Sequence, residues 1–185
     1  MIDNLYDQAR KGDIAVGGIY YDFLAREEQT ITNMIGAILK QLVGRRSMPE
    51  YLRQAFRLEC AGRGLRLPDL MSLLRKAIAS LPPIFICIDA LDECLPKHLP
   101  ELLESLRDIV RESPKTRIFL TGRPHVKEDI HRYFAQAIVI CISPTTGDIR
   151  SYLEMRLDRD TEPEAMSDSL RADITRAMEE QISDV

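Results

Sequence analysis

Hydrophobic positions along this chain follow two spacings. One set recurs every three or four residues, as on one face of a helix. The other falls in short unbroken runs flanked by Gly or Pro, as in buried strands. The cleanest helical stripe joins Ile31, Met34, Ile35, Ile38, Leu39 and Leu42, with Thr30 placed to cap its start and Gly44 to end it. Similar stripes predict helices over 2–11 (Ile2, Leu5, Tyr6, Ala9) and over 48–58 (Tyr51, Leu52, Ala55 and Phe56 inward). Another runs from Pro68 to the Pro82–Pro83 breaker, and others span 99–110 and 126–134. Two more follow: one after a Thr145–Asp148 capping box, running through Leu157, and a last one carrying Leu170, Ile174, Met178 and Ile182. Strands are expected over 14–23, 83–88, 116–121 and 137–142, with loops at 61–64 and 158–167. Such alternation predicts an α/β fold, a mostly parallel sheet with helices on both faces.

Composition narrows the class only a little. The chain has 185 residues, 45% apolar and 29% charged, which suits one soluble α/β domain with a real core. A formal net charge of −4 supplies no basic field to attract nucleic acid. No apolar run approaches a membrane span, and the first residues carry no secretion signal. Cys60, Cys87, Cys94 and Cys141 lack metal spacing, and Cys87 and Cys141 fall inside expected buried strands. They read as reduced thiols, so a cytoplasmic location is expected, with no nucleic-acid or membrane partner.

Candidate chemistry begins where one apolar run stops. Ile84 to Ile88 is uninterrupted, and then Asp89, Asp92 and Glu93 arrive within five positions. Ligands of open α/β sheets gather at the carboxyl ends of strands, where a carboxylate can hold a metal. The segment has the form of a Walker B strand, with Asp89 facing Mg²⁺ and Asp92 or Glu93 orienting the attacking water. The simpler alternative is a strand running into a solvated acidic loop. Arg123 lies just past the next expected strand, on the same sheet edge, where a guanidinium can meet a γ-phosphate. Its alternative is a surface arginine pairing with Asp92 or Glu93. Ala61-Gly62-Arg63-Gly64 is no phosphate loop, because it has no Gly-Lys-Ser/Thr and no strand before it. An unrelated metal-dependent α/β enzyme is a further reading, but His98, His125 and His131 show no paired spacing.

Taken together, four segments resemble one family. Phe85 to Glu93 resembles the Walker B of NACHT domains, in the STAND branch of P-loop NTPases, and Arg117 to Pro124 resembles their sensor 1 strand and arginine. Gly18 to Phe23, with Glu28 to Thr30 and Ile35 to Leu42, resembles the second strand and helix in fungal NOD-like receptors of the nephrocystin-like type. Gly147 to Leu153 resembles the segment after their fifth strand. The resemblance implies a three-layer P-loop NTPase domain over 1–158, followed by the helical start of another region at 159–185. It implies Mg²⁺ and ATP or GTP as cofactors, with NTP hydrolysis coupled to signalling in innate immunity.

The family also begins with a strand and a loop ending Gly-Lys-Ser/Thr, and neither is found in these residues. The resemblance therefore implies an N-terminally truncated domain whose sheet, ordered 5-1-4-3-2, lacks its first, central strand. Strand spacing then leaves the last strand about 10 Å from its neighbour, so either 137–142 moves over to pair with 116–121 or the sheet keeps an open slot whose edge invites another chain. Without the loop, Asp89, Asp92 and Glu93 would meet a triphosphate with only Arg123 in compensation. Poor nucleotide binding by the chain alone is expected. Self-association or a protein partner is expected, and a non-catalytic interaction remnant of the same fold is the alternative.

Overall fold

The structure is a computed structural model that describes residues 2–44, 48–60, 64–159 and 167–183. Most of the loops expected at 61–64 and 158–167 lie outside the described residues, as do the side chains of Ile2, Cys60 and Ile182. The elements run α1 (Ile2–Arg10), β1 (Ala15–Tyr20), α2 (Ile31–Val43), α3 (Glu50–Cys60), α4 (Leu67–Ser80) and β2 (Ile84–Asp89). They continue with α5 (Leu99–Glu112), β3 (Thr116–Leu120), α6 (Lys127–Tyr133), α7 (Thr146–Leu157) and α8 (Asp168–Ser183). By packing they form two units, 1–137 and 138–185.

Local signals set the helix ends. Thr30 accepts a hydrogen bond from the Asn33 amide at 3.3 Å, and the Gly44 N–H donates to the Lys40 carbonyl at 2.9 Å. Asp69 closes the first turn of α4 by accepting the Arg66 N–H at 3.1 Å. In the second unit, Asp148 accepts the Thr145 N–H at 2.9 Å, while Thr145 accepts the Asp148 N–H at 3.1 Å. These ends depend on neighbours three or four residues away, so the sequence already announces them.

The sheet of the first unit has three parallel strands in the order β1-β2-β3. Ala15 pairs with Ile84 and Tyr20 with Asp89, while Ile84 pairs with Thr116 and Ile88 with Leu120. Ala15, Gly17 and Ile19 therefore share a face with Ile84, Ile86 and Ile88. That face meets α2, where an added Cβ on Gly17 would lie 3.3 Å from Ile38 Cγ2. Ile84 and Ile86 are fully buried there, in one core with Ile35 and Ile38 of α2, Leu74 of α4 and Leu102, Leu103 and Leu106 of α5. The opposite face meets α1, where a Cβ on Gly18 would fall 2.7 Å from the Tyr6 hydroxyl.

Several expectations are corrected. Residues 137–142, expected as a last strand, form no ladder, and Ile138, Ile140 and Ile142 are strongly exposed. A strand exists only by pairing, and nothing among the described residues pairs with this run. Cys141 is therefore exposed rather than buried. Phe56 points outward at 39% exposure, while Leu52 and Ala55 are buried and Tyr51 packs half-buried against the core. The final helix, expected to be amphipathic, keeps Leu170 and Met178 exposed.

Side chains engage the outer edge of β1 at Gly18 and Tyr20. Gly18 donates its N–H to Gln41 Oε1 at 2.8 Å and accepts Gln41 Nε2 at 2.7 Å. Gln29 adds a bond to the Tyr20 carbonyl at 3.3 Å and takes the Asp22 N–H at 3.2 Å. Replacing Gln41 by Met keeps the bulk of the side chain and orphans both Gly18 groups. Urea unfolding should register a loss of about 1–3 kcal/mol. A change below about 0.5 kcal/mol, the range of an ordinary surface substitution, would show that water replaces the amide there.

Candidate functional site

Parallel pairing puts the carboxyl ends of β2 and β3 on one edge, and Thr121 ties them together. Its hydroxyl donates to Asp89 Oδ1 and accepts the Ala90 N–H at 3.1 Å. Its own N–H donates to the Ile88 carbonyl at 2.9 Å, and its carbonyl accepts the Leu91 N–H at 2.9 Å. The ladder thus continues one residue past each strand. Residues that carry a Cβ rarely adopt positive φ, yet Ala90 sits at φ 55° and ψ 48°. The two Thr121 bonds fix the amides on either side of this turn. Beyond it Leu91 buries completely and Leu91–Glu93 forms a tight 3-10 turn.

Asp92 points back toward the loop after β3. Its Oδ1 accepts the Arg123 N–H at 3.2 Å, and its Oδ2 lies 3.4 Å from Arg123 Nε. The Asp92 side chain is only 8% exposed, whereas that of Arg123 is 73% exposed. Gly122 permits this approach, since a Cβ there would meet Val126 Cγ2 at 3.0 Å and the Asp92 amide at 3.4 Å. Glu93 turns the other way and pairs with Arg26, in the segment after β1. The Arg26 guanidinium also lies 4.2 Å over the Phe23 ring. A second link, Lys97 to Glu27 at 3.6 Å, joins the same two loops. Beneath them burial pushes the Cys94 thiol up, while the Tyr21 hydroxyl and the Arg26 charge pull it down. Burial, and then the bond to Cys94, holds the Tyr21 phenol well above its ordinary range. Burial also raises Cys87.

The structure therefore brings Asp89, Asp92 and Arg123 to one sheet edge and draws Glu93 toward Arg26. Sequence reasoning missed Thr121 and Arg26 as site residues. A hydroxyl directly after a strand whose parallel neighbour ends in Asp was a readable signal for Thr121. Arg26 lay in a polar turn and gave none. Asp89 and the Thr121 hydroxyl are two oxygen donors for a cation that takes about six. Asp92 and Glu93 are engaged by arginines, and no three His, Cys, Asp or Glu among the described residues converge on a metal position. The described residues do not by themselves fit a Mg²⁺–nucleotide complex.

Two outcomes follow from this geometry. Ala90→Gly should relieve left-handed strain of about 1–2 kcal/mol and add backbone entropy costing about 0.5–1 kcal/mol. Urea unfolding should show unchanged or slightly raised stability, and a clear loss would mean that Ala90 is unstrained. The raised thiols and phenol bind their protons more tightly folded than unfolded. Their contribution is complete below the ordinary thiol value of 9.0 and is lost as pH rises through the folded values. Stability should therefore fall above pH 9.0 in denaturation series, and a flat alkaline profile would contradict the burial of these groups.

No curated protein matches the chain. Its fold is similar to that of a solved structure of the Aeropyrum pernix Orc1 protein in complex with DNA, at a TM-score of 0.53 and 19% identity. That similarity covers 86% of this chain and 41% of the Orc1 chain, so the chain spans less than half of that protein's length. It supports the α/β class expected from the sequence. Residues 1–123 match the family described as nephrocystin 3, N-terminal, a span that contains all three strands and ends on Arg123. The chain belongs to the nephrocystin 3 N-terminal family.

Proposed function

We propose that the chain is the acidic-edge part of a NACHT-type signalling NTPase domain of the STAND class, from a fungal NOD-like receptor. The observation that carries this reading is the joined edge itself, with Asp89 bonded to Thr121 and Asp92 bonded to Arg123 across neighbouring parallel strands. In that role Asp89 stands on the cation side, Asp92 and Glu93 on the water side, and Arg123 on the γ-phosphate side. The phosphate grip would come from polypeptide outside these 185 residues, which hold no Gly-Lys-Ser/Thr string. ATP or GTP with Mg²⁺ is the ligand on this reading, within a domain of residues 1–158. Its partners would be protein rather than nucleic acid, which the net charge of −4 does not favour. A cytoplasmic signalling role in innate immunity completes the proposal. Among the described residues no helix is long and apolar enough to cross a membrane.

A non-catalytic interaction module of the same fold is the second reading. What favours it is that Asp92 and Glu93 already hold arginine partners, Arg123 and Arg26. An unrelated metal-dependent enzyme gains no support from the donor geometry. Isothermal titration of MgATP into the folded chain, with Asp89→Ala as control, tests the proposal of half a site. No heat is expected at millimolar nucleotide. Sub-millimolar binding lost in Asp89→Ala would mean that these residues form a working site without a phosphate loop.

A further inference from the structure

Large apolar residues exposed one at a time are ordinary on a protein surface, but a contiguous group is not. Just after β1 three come together: Tyr20, Phe23 at 60% exposure and Leu24 at 90%. Asp22 fixes this turn, its carboxylate accepting the Leu24 N–H at 2.9 Å. Around the group Asp22, Glu27 and Glu28 are exposed. Arg26 is engaged by Glu93 and Lys97 by Glu27, so Asp22 and Glu28 meet no cation among the described residues. The face is apolar at its centre and acidic at its rim.

The same unit carries a face of the opposite sign. Residues 44–66 contain six arginines and two glutamates, in a chain whose net charge is −4. Within α3, Arg53, Phe56 and Arg57 fall at i, i+3 and i+4 on the exposed side, with Leu52 and Ala55 buried behind them. Glu50 lies 3.8 Å from Arg53 and 4.0 Å from Arg57, and one carboxylate cannot neutralise two guanidinium groups. Phe56 is therefore an exposed aromatic between two arginines that keep a net positive charge.

We propose that the acidic face around Leu24 seats on the basic outer side of α3 of a second copy. Phe23 and Leu24 meet Phe56 at the centre, and Asp22 and Glu28 meet Arg53 and Arg57 at the rim. A second copy is the occupant because the chain itself carries both halves of the match. No ion pair joins the two faces within one copy among the described residues. The faces differ, so the contact is heterologous, and each copy can receive one neighbour while seating on another. Faces this small bury little area and rely on charge, which makes the association weak and salt-sensitive.

Sedimentation velocity on the full chain, from micromolar to millimolar, tests this. The expected result is self-association in about 0.02 M salt that weakens about tenfold or more in about 0.5 M salt. Leu24→Glu and Arg57→Glu should each be monomeric, and both residues are exposed, so the fold of a single copy is spared. Leu24→Glu keeps its α3 face and Arg57→Glu keeps its acidic face. An equal mixture of the two variants should therefore form a dimer that grows no further. A wild-type chain that stays monomeric, association that persists in either variant, or a mixture that remains monomeric would overturn the proposal.

Discussion

The structure depends on the backbone pairing of β2. It alone of the three strands has a parallel neighbour on each side, so its amides and carbonyls are satisfied while it lies inside the core. Everything apolar in the first unit is arranged around it. Ile84, Ile86 and Ile88 hold the register against α2, α4 and α5, and a one-residue slip would turn Cys87 and Asp89 into that core. Because β2 is pinned, its last residue is pinned as well. Asp89 therefore arrives at a defined place, beside Thr121, at the end of the strand next to it.

From that place the edge is built by short range steps. The left-handed turn at Ala90 and the bond of Asp92 to the Arg123 amide fold two loops onto each other. Arg26 brings in a third, from the far side of β2, through Glu93. The outcome is a connected polar rim spanning all three strands. Asp92 is mostly buried, and its charge is opposed by Arg123, which lowers the cost of placing it there. Such a rim is equally able to stabilise loops and to present Asp89 and the exposed guanidinium of Arg123 to a ligand. Membership of the nephrocystin 3 N-terminal family agrees with the parallel α/β fold, and the nucleotide roles remain a proposal.

What could be read from the sequence was local. The stripe from Ile31 to Leu42, the Thr30 cap and the Thr145–Asp148 box depend on contacts within one or two helical turns, and all appear as expected. The parallel α/β class followed from the order of elements. Other features depend on partners far along the chain. Thr121 and Asp89 are 32 residues apart and Arg26 and Glu93 are 67 apart, so their bonds required the register of three strands to be known first. Residues 137–142 show the same limit from the opposite side. Their β-branched composition favours a strand, but composition does not supply a neighbour. Gln41 was counted within a helix, and its closing of the β1 edge became visible only with Gly18 beside it.

The central claim is that, among the described residues, side chains engage Gly18 and Tyr20 on one sheet edge while the outward backbone groups of Ile118 and Leu120 on the other meet no partner. Residue-resolved amide hydrogen exchange on dilute, monomeric protein tests it most directly. The amides of Gly18, Ile86 and Ile88 should exchange slowly, and those of Ile118 and Leu120 should exchange at nearly unprotected rates. Strong protection of Ile118 and Leu120 in the monomer would mean that a strand of the same copy already covers β3, and the account of an open edge would fail.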